Sequence, residues 1–272
     1  MTETVDVVAV DWSGAQVGAA DRIWLGHVRQ GRLVELRNGL DRRQTINHLI
    51  DLRERCPDGL VVGLDFAFSV PSWFLPECGA ATVFELWNIV EAQGEQWLVA
   101  CNPPWWGRPG RRRPELPEHF RQCERTAVTG GIGAKSVFQI GGAGSVGTGS
   151  LRGMPYLTQL RRAGFGIWPF DPPSPWTVVE IYPRLLTGPV HKRNRPDRVA
   201  YLAESGWTMS RSFARAAAGS EDAFDAAISA LVMEYHRHEL AALTQTSDAQ
   251  IRLEGDIFVP LTSQCERSEG TI

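Results

Sequence analysis

Apolar and polar positions along the 272-residue chain alternate with several distinct rhythms. The run Val5-Asp6-Val7-Val8-Ala9-Val10-Asp11-Trp12 is apolar on both faces and predicts a strand covered on two sides. Leu60-Val61-Val62-Gly63-Leu64-Asp65-Phe66 repeats the pattern, and each run carries an aspartate near its end. Between them, Arg22 to Val28 and Arg32 to Arg37 predict a hairpin around Arg29-Gln30-Gly31. A helix follows the hairpin. Asp41 is its cap, Gln44 stands at the capping-box position, and Ile46, Leu49 and Ile50 recur at helical spacing.

The second half is less regular. Thr82 and Glu85 form a capping box ahead of Val83, Leu86, Trp87 and Val90, and a further helix is expected from about Met154-Pro155 to Ala163. Residues 72–175 otherwise lack a strong strand pattern, which predicts an insertion serving as a lid or substrate platform. Trp176 to Tyr182 is the fifth expected strand. The last clear helix starts at Ser220, with Phe224, Ala227, Ile228, Leu231, Val232 and Tyr235 on one stripe. Residues 256–260 are expected at a sheet edge, and 263–272 as a disordered tail beyond one domain spanning 1–262. The fold class is therefore α/β, a mixed five-stranded sheet flanked by helices with a large insertion between strands four and five.

Composition narrows the function classes. The formal net charge of −3 gives no global attraction to nucleic acid or membrane, so any such attraction must be local. Five cysteines, none in a CxxC pair, argue against a disulfide framework and a thiolate zinc site. No apolar run approaches the roughly 20 residues of a membrane span. The N-terminus lacks the basic and apolar regions of a signal peptide, so a cytoplasmic location is expected.

Acidic residues stand out by position. Asp11 and Asp65 end strands, Glu180 lies within the Val178–Tyr182 run, and Asp222 and Asp225 lie near a helix start. Hard divalent cations, Mg²⁺ or Mn²⁺, take oxygen ligands. Two such ions about 4 Å apart can drive phosphodiester cleavage, which needs carboxylates converging from several elements. Simpler explanations compete: Asp222 suits a helix dipole, a lone strand-end aspartate suits a turn, and Glu180 could pair with an arginine such as Arg184.

Four motifs, Val10-Asp11-Trp12-Ser13-Gly14, Gly63-Leu64-Asp65-Phe66-Ala67, Glu180-Ile181-Tyr182-Pro183 and Glu221-Asp222-Ala223-Phe224-Asp225-Ala226, in this order resemble the ribonuclease H-like superfamily. More closely, the chain looks like a bacterial and archaeal domain family of unknown function read as RNase H-fold nucleases. The resemblance covers the scaffold and not the insertion. It implies a metal-dependent nuclease with Asp11 as the first-strand ligand, Asp65 as the fourth-strand ligand, and Asp222 with Asp225 as the helix pair of resolvase-type members. The ribonucleases H themselves carry a glutamate on the first helix, where this chain offers only Glu54 near the far end. The resolvase-like arrangement therefore fits better than strict hybrid specificity.

Other features bear on partners. Trp105 and Trp106 with Arg108, Arg111, Arg112 and Arg113 mix aromatic faces and cations as single-strand binders do. Lys192, Arg193, Arg195 and Arg198 form a second basic cluster beside His191, although charge runs also serve simply as solvated loops. The literal GxGxxG at Gly142–Gly147 lacks the βαβ context of a dinucleotide site, leaving a phosphate-approaching loop with Lys135 nearby or an ordinary surface loop. The Ser13-Gly14 turn is expected near a phosphate. Nucleic acid, single-stranded or branched, is the expected partner. The alternatives are an actin-like ATPase relative that binds nucleotide, and a nucleic-acid binder without activity.

Overall fold

A computed structural model of the chain describes residues 5–126, 128–129, 132–142 and 144–261. The expected tail at 263–272, and Ala143 of the glycine motif, lie outside these residues. In chain order the main elements are β1 (Asp6–Asp11), β2 (Trp24–Arg29), β3 (Arg32–Arg37), α1 (Arg42–Arg55), β4 (Leu60–Leu64), α2 (Val83–Ala100), α3 (Gly147–Arg162), β5 (Gly166–Ile167), β6 (Trp176–Glu180), α4 (Pro183–Thr187), α5 (Arg195–Glu204), α6 (Arg211–Gly219) and α7 (Glu221–Tyr235).

The strands form one six-stranded mixed sheet in the order β3-β2-β1-β4-β6-β5. β1 runs antiparallel to β2 and parallel to β4, and β6 runs parallel to β4 and β5. Register sets Ala9 beside Gly63 and Leu64 beside Glu180, so Asp11, Asp65 and Glu180 share one edge of the sheet. At the β2–β3 turn, Gln30 and Gly31 both have positive φ, the twist a two-residue hairpin needs. Asp41 and Gln44 exchange both capping hydrogen bonds at the start of α1, and Thr82 accepts from Glu85 N at the start of α2. Residues 256–260 do not form a strand; Ile257 makes one isolated bridge to Glu180.

Two expectations need correction. The sheet has six strands rather than five, the two-residue β5 extending the β6 edge. And 72–175, expected as an insertion serving as a lid or substrate platform, builds part of the core and contributes β5. Side chains alternate across a strand, so Val8, Val10, Val62 and Leu64 face one way and require cover. Helix α1 supplies Ile46 and Leu49, but α2 with Leu86 and Trp87 and α3 with Met154 and Leu157 complete that layer. The opposite face, with Val7, Ala9 and Val179, packs on Phe224, Ala227 and Ile228 of α7. The expected stripe ends early, since Tyr235 is exposed.

Helix α3 begins at Gly147, well before Met154, so Pro155 lies inside it rather than in its first turn. Its glycines disguise it, and they are there for close approach. A Cβ on Gly153 would come within 2.7 Å of the Phe66 ring, and one on Gly14 within 2.5 Å of Gly149 N. The same device seats α7 on the sheet, because a Cβ on Gly26 would meet Ala226 O at 2.6 Å.

The N-terminal end of β1 is closed by a compensated charge. Burial opposes ionisation of Asp6, but hydrogen bonds from His27, Arg29 and Cys56 outweigh it and hold the carboxyl at about 2. His27 Nε2 and Arg29 Nη2 both stand 2.7 Å from Oδ2. A carboxyl depressed on folding adds stability above its unfolded pKa near 4, and that stability is lost as pH falls toward 2. Asp6→Asn is expected to remove about 2 kcal/mol at neutral pH and to flatten the acid limb of the stability curve between pH 4 and 2. Urea denaturation across that range measures both.

Candidate active site

Three carboxylates gather where the expectation placed them. Asp11 ends β1, Asp65 follows β4, and Asp225 stands one turn into α7, whose cap Ser220 accepts from Ala223 N at 3.3 Å. Asp65 is within hydrogen-bonding reach of Asp11, and each feels the charge of Asp225. Asp11 and Asp65 keep part of their surface open, yet protein surrounds them closely enough for desolvation to dominate, so they lie at the bottom of a recess.

Electrostatics follow from that crowding. Desolvation, then the charges of Asp65, Asp225 and Asp222, drive Asp11 well above the usual carboxylate range. Desolvation and Asp225 likewise raise Asp65 against the opposing pull of Lys192. Asp225 is raised by burial and held back by Lys192, whose Nζ lies 2.5 Å from Oδ2. Its other oxygen, Oδ1, is buried and has no hydrogen-bond partner. Asp222 is half-buried one turn earlier, its pKa raised by burial and by Glu221, with Arg22 and Lys192 pulling the other way.

Among the described residues, no three Asp, Glu, His or Cys side chains form a ready-made metal cage. Within the group Asp225 is paired with Lys192, whereas Asp65 has only the carboxyl of Asp11 within hydrogen-bonding reach.

Glu180 is not part of this group. It is 3% exposed, accepts from Phe68 N at 2.8 Å, and takes both Nη1 and Nη2 of Arg121 at 2.8 and 2.5 Å. The partner is Arg121 and not Arg184, which instead donates to the carbonyls of Gly188 and Val190. Glu180 therefore loses its expected catalytic role: both its oxygens are consumed by a buried ion pair.

The expected nucleic-acid contacts divide. Trp105, 3% exposed, stacks on Trp97 at 5.5 Å within the core and cannot receive a base. Trp106 is partly buried, with the Arg113 guanidinium 5.8 Å from its ring. Lys192 is 8% exposed and engaged with Asp225, so it is no surface cation, and Arg198 is buried. Arg108, Arg111, Arg112, Lys135, Arg193 and His191 are exposed. Gly14 has a structural reason, its approach to the start of α3, where Arg152 also donates to Gly14 O; Ser13 Oγ accepts from Ala15 N.

One residue beside the acids escaped sequence reading. Tyr182, the cap of α4, senses Asp65 and Asp225, which together with burial raise its hydroxyl pKa. It also lines an open basin of about 720 Å³ with His191, Lys192, Arg193, Asn194 and Glu221, next to the recess. Neither this basin nor a second cleft of about 570 Å³, lined by Trp168, Leu243, Phe258 and Leu261, has Asp11, Asp65 or Asp225 in its lining; the basin adjoins them through Lys192.

No protein-family model, curated protein or solved structure matches the chain. Among the described residues no helix is long and apolar enough to cross a membrane.

Breaking a buried ion pair from one side costs on the order of 3 kcal/mol, because the remaining charge stays buried. Glu180→Gln is expected to lose about that much stability in urea denaturation while the folded variant binds Mn²⁺ as the parent does. Full stability with weakened Mn²⁺ binding would return Glu180 to the acidic group.

Proposed function

We propose that the protein is a divalent-metal-dependent nuclease of ribonuclease H-like fold, hydrolysing phosphodiester bonds in nucleic acid. The observation that carries this reading is the recess itself: Asp11, Asp65 and Asp225 crowd together with one ammonium among them and one buried oxygen, Asp225 Oδ1, unpartnered. Such a cluster is costly for a fold to maintain without a cation to meet it. The donors are all oxygens, which suits Mg²⁺ or Mn²⁺.

The position supports the same reading. In α/β sheets ligands gather outside the carboxyl ends of parallel strands, where β1 and β4 deliver Asp11 and Asp65. The sheet order β3-β2-β1-β4-β6, with α7 crossing β1 and β2, agrees with the ribonuclease H-like arrangement.

Asp11, Asp65 and Asp225 would hold the metal. A bound Mg²⁺ or Mn²⁺ supplies Lewis acidity toward a phosphoryl oxygen and a nucleophile at neutral pH. The chain's own residues do the rest. Tyr182, His191 and Arg193 line the basin beside the acids and offer hydrogen-bond donors or positive charge to flanking phosphates. Exposed Arg108, Arg111, Arg112 and Lys135 add sequence-independent attraction. With Trp105 in the core, preference for single strands loses half of its aromatic support. Actin-like nucleotide binding is less favoured, since it requires two such domains around a cleft and the described residues build one main sheet with one acidic edge.

The purified protein, offered single strands, duplexes, hybrids and junctions with Mn²⁺, is expected to cleave at least one of them. Asp11→Asn and Asp65→Asn should reduce the rate by on the order of a hundredfold, the upper range already seen for outer-shell changes at metal sites. Equal cleavage by parent and variants, or none on any substrate, counts against the proposal, and stabilisation by ATP alone would favour the nucleotide-binding alternative.

A further inference from the structure

We propose that Lys192 occupies one of two cation positions in the acidic recess, so that the site takes a single divalent cation and uses an ammonium in place of a second. The inference rests on the metal-dependent reading and replaces a two-ion site by one ion and one side chain.

The geometry is that of a fixed counter-ion. Lys192 and Asp225 are 8% and 6% exposed and meet at 2.5 Å. A lysine on a free surface loop would keep its ammonium in water, because side-chain ordering and desolvation both oppose burial. Here the loop between α4 and α5 is built to hold it in. Buried Arg198 donates to the carbonyl of Lys192 and, at 3.1 and 2.9 Å, to Ala218 O. Arg184 donates to Gly188 O at 3.0 Å and Val190 O at 2.7 Å, and Lys192 N donates to Val190 O at 2.9 Å. Two guanidinium groups beside an acidic recess thus turn to backbone carbonyls and leave the carboxylate to the lysine.

Charge balance among the three acids nearest the ammonium fits that stoichiometry, Asp222 lying one turn away and only half-buried. Three ionised carboxylates carry three negative charges and Lys192 returns one, leaving two for a single divalent cation to neutralise. A second divalent cation would turn the recess net positive while Lys192 stays in place. Asp225 can serve both positions, Oδ2 being engaged by the ammonium while Oδ1 has no partner.

Mn²⁺ titration of the whole chain, followed by the electron paramagnetic resonance of the free ion, counts bound ions without reference to turnover. One ion per wild-type chain is expected, one again for Lys192→Arg, and two for Lys192→Met, with the first bound about tenfold more tightly once the competing charge is gone. Arg198→Lys loosens the loop but keeps the ammonium, and it is expected to admit a second ion at millimolar Mn²⁺; it provides the test should Lys192→Met fail to fold. Two ions in wild type overturn the role of Lys192 and leave the metal-dependent reading standing. Unchanged single-ion binding in both Lys192→Met and Arg198→Lys overturns it as well. No Mn²⁺ bound by any of these proteins removes the metal-dependent reading and this proposal together.

Discussion

The ion pair between Lys192 and Asp225 is the contact on which the acidic recess depends. Burial drives the pKa values of Asp11, Asp65 and Asp225 upward, and repulsion from neighbouring carboxylates adds to it. Without a cation, that repulsion would bear on the seating of α7 against the sheet, since Asp225 adjoins the Ala226 backbone that lies on Gly26. Lys192 relieves it from a loop whose carbonyls are gripped by Arg184 and Arg198. The loop, the helix and the two central strands therefore answer to a single electrostatic requirement.

A second requirement shapes the rest of the molecule. Strands that are apolar on both faces need two layers of cover, and the chain before residue 72 provides little on either side. On one face α2 and α3 fill the deficit, which is why a stretch that reads as an insertion carries so many aromatic residues. Trp97, Trp105, Phe74 and Phe138 pack edge and face against one another as core. The start of α3 also reaches the turn after β1, where Gly14 meets Thr148 and Gly149 and Arg152 binds the Gly14 carbonyl. The layer thus supports the turn that follows Asp11.

Local signals were legible and long-range pairings were not. Capping boxes at Asp41 and Thr82, the hairpin at Gln30-Gly31 and the apolar runs of β1 and β4 each depend on neighbours within a few residues. Asp11, Asp65 and Asp225 were legible because strand ends and a helix start are local features too. The partner of Glu180, by contrast, is 59 residues away in sequence, with no pattern to mark it. Lys192 and Arg193 are adjacent in one basic run, yet one is buried and the other exposed. Trp105 resembled a stacking platform because its core partners come from three other segments, and α3 was shortened by glycines whose purpose is contact.

The two ends of β1 sharpen the functional argument. Asp6 and Asp11 are the same residue type on the same strand, and protein surrounds both. Asp6 receives hydrogen bonds from His27, Arg29 and Cys56, and its pKa falls to about 2. Asp11 receives no such set of donors; it faces Asp65, and its pKa rises. A fold able to satisfy one buried aspartate so thoroughly has left the other under-compensated, at the edge where parallel strands present ligands. Stability alone accounts for Asp6. At Asp11 it would favour an asparagine or an added donor, and the under-compensated carboxylate is the feature on which the proposed metal site rests.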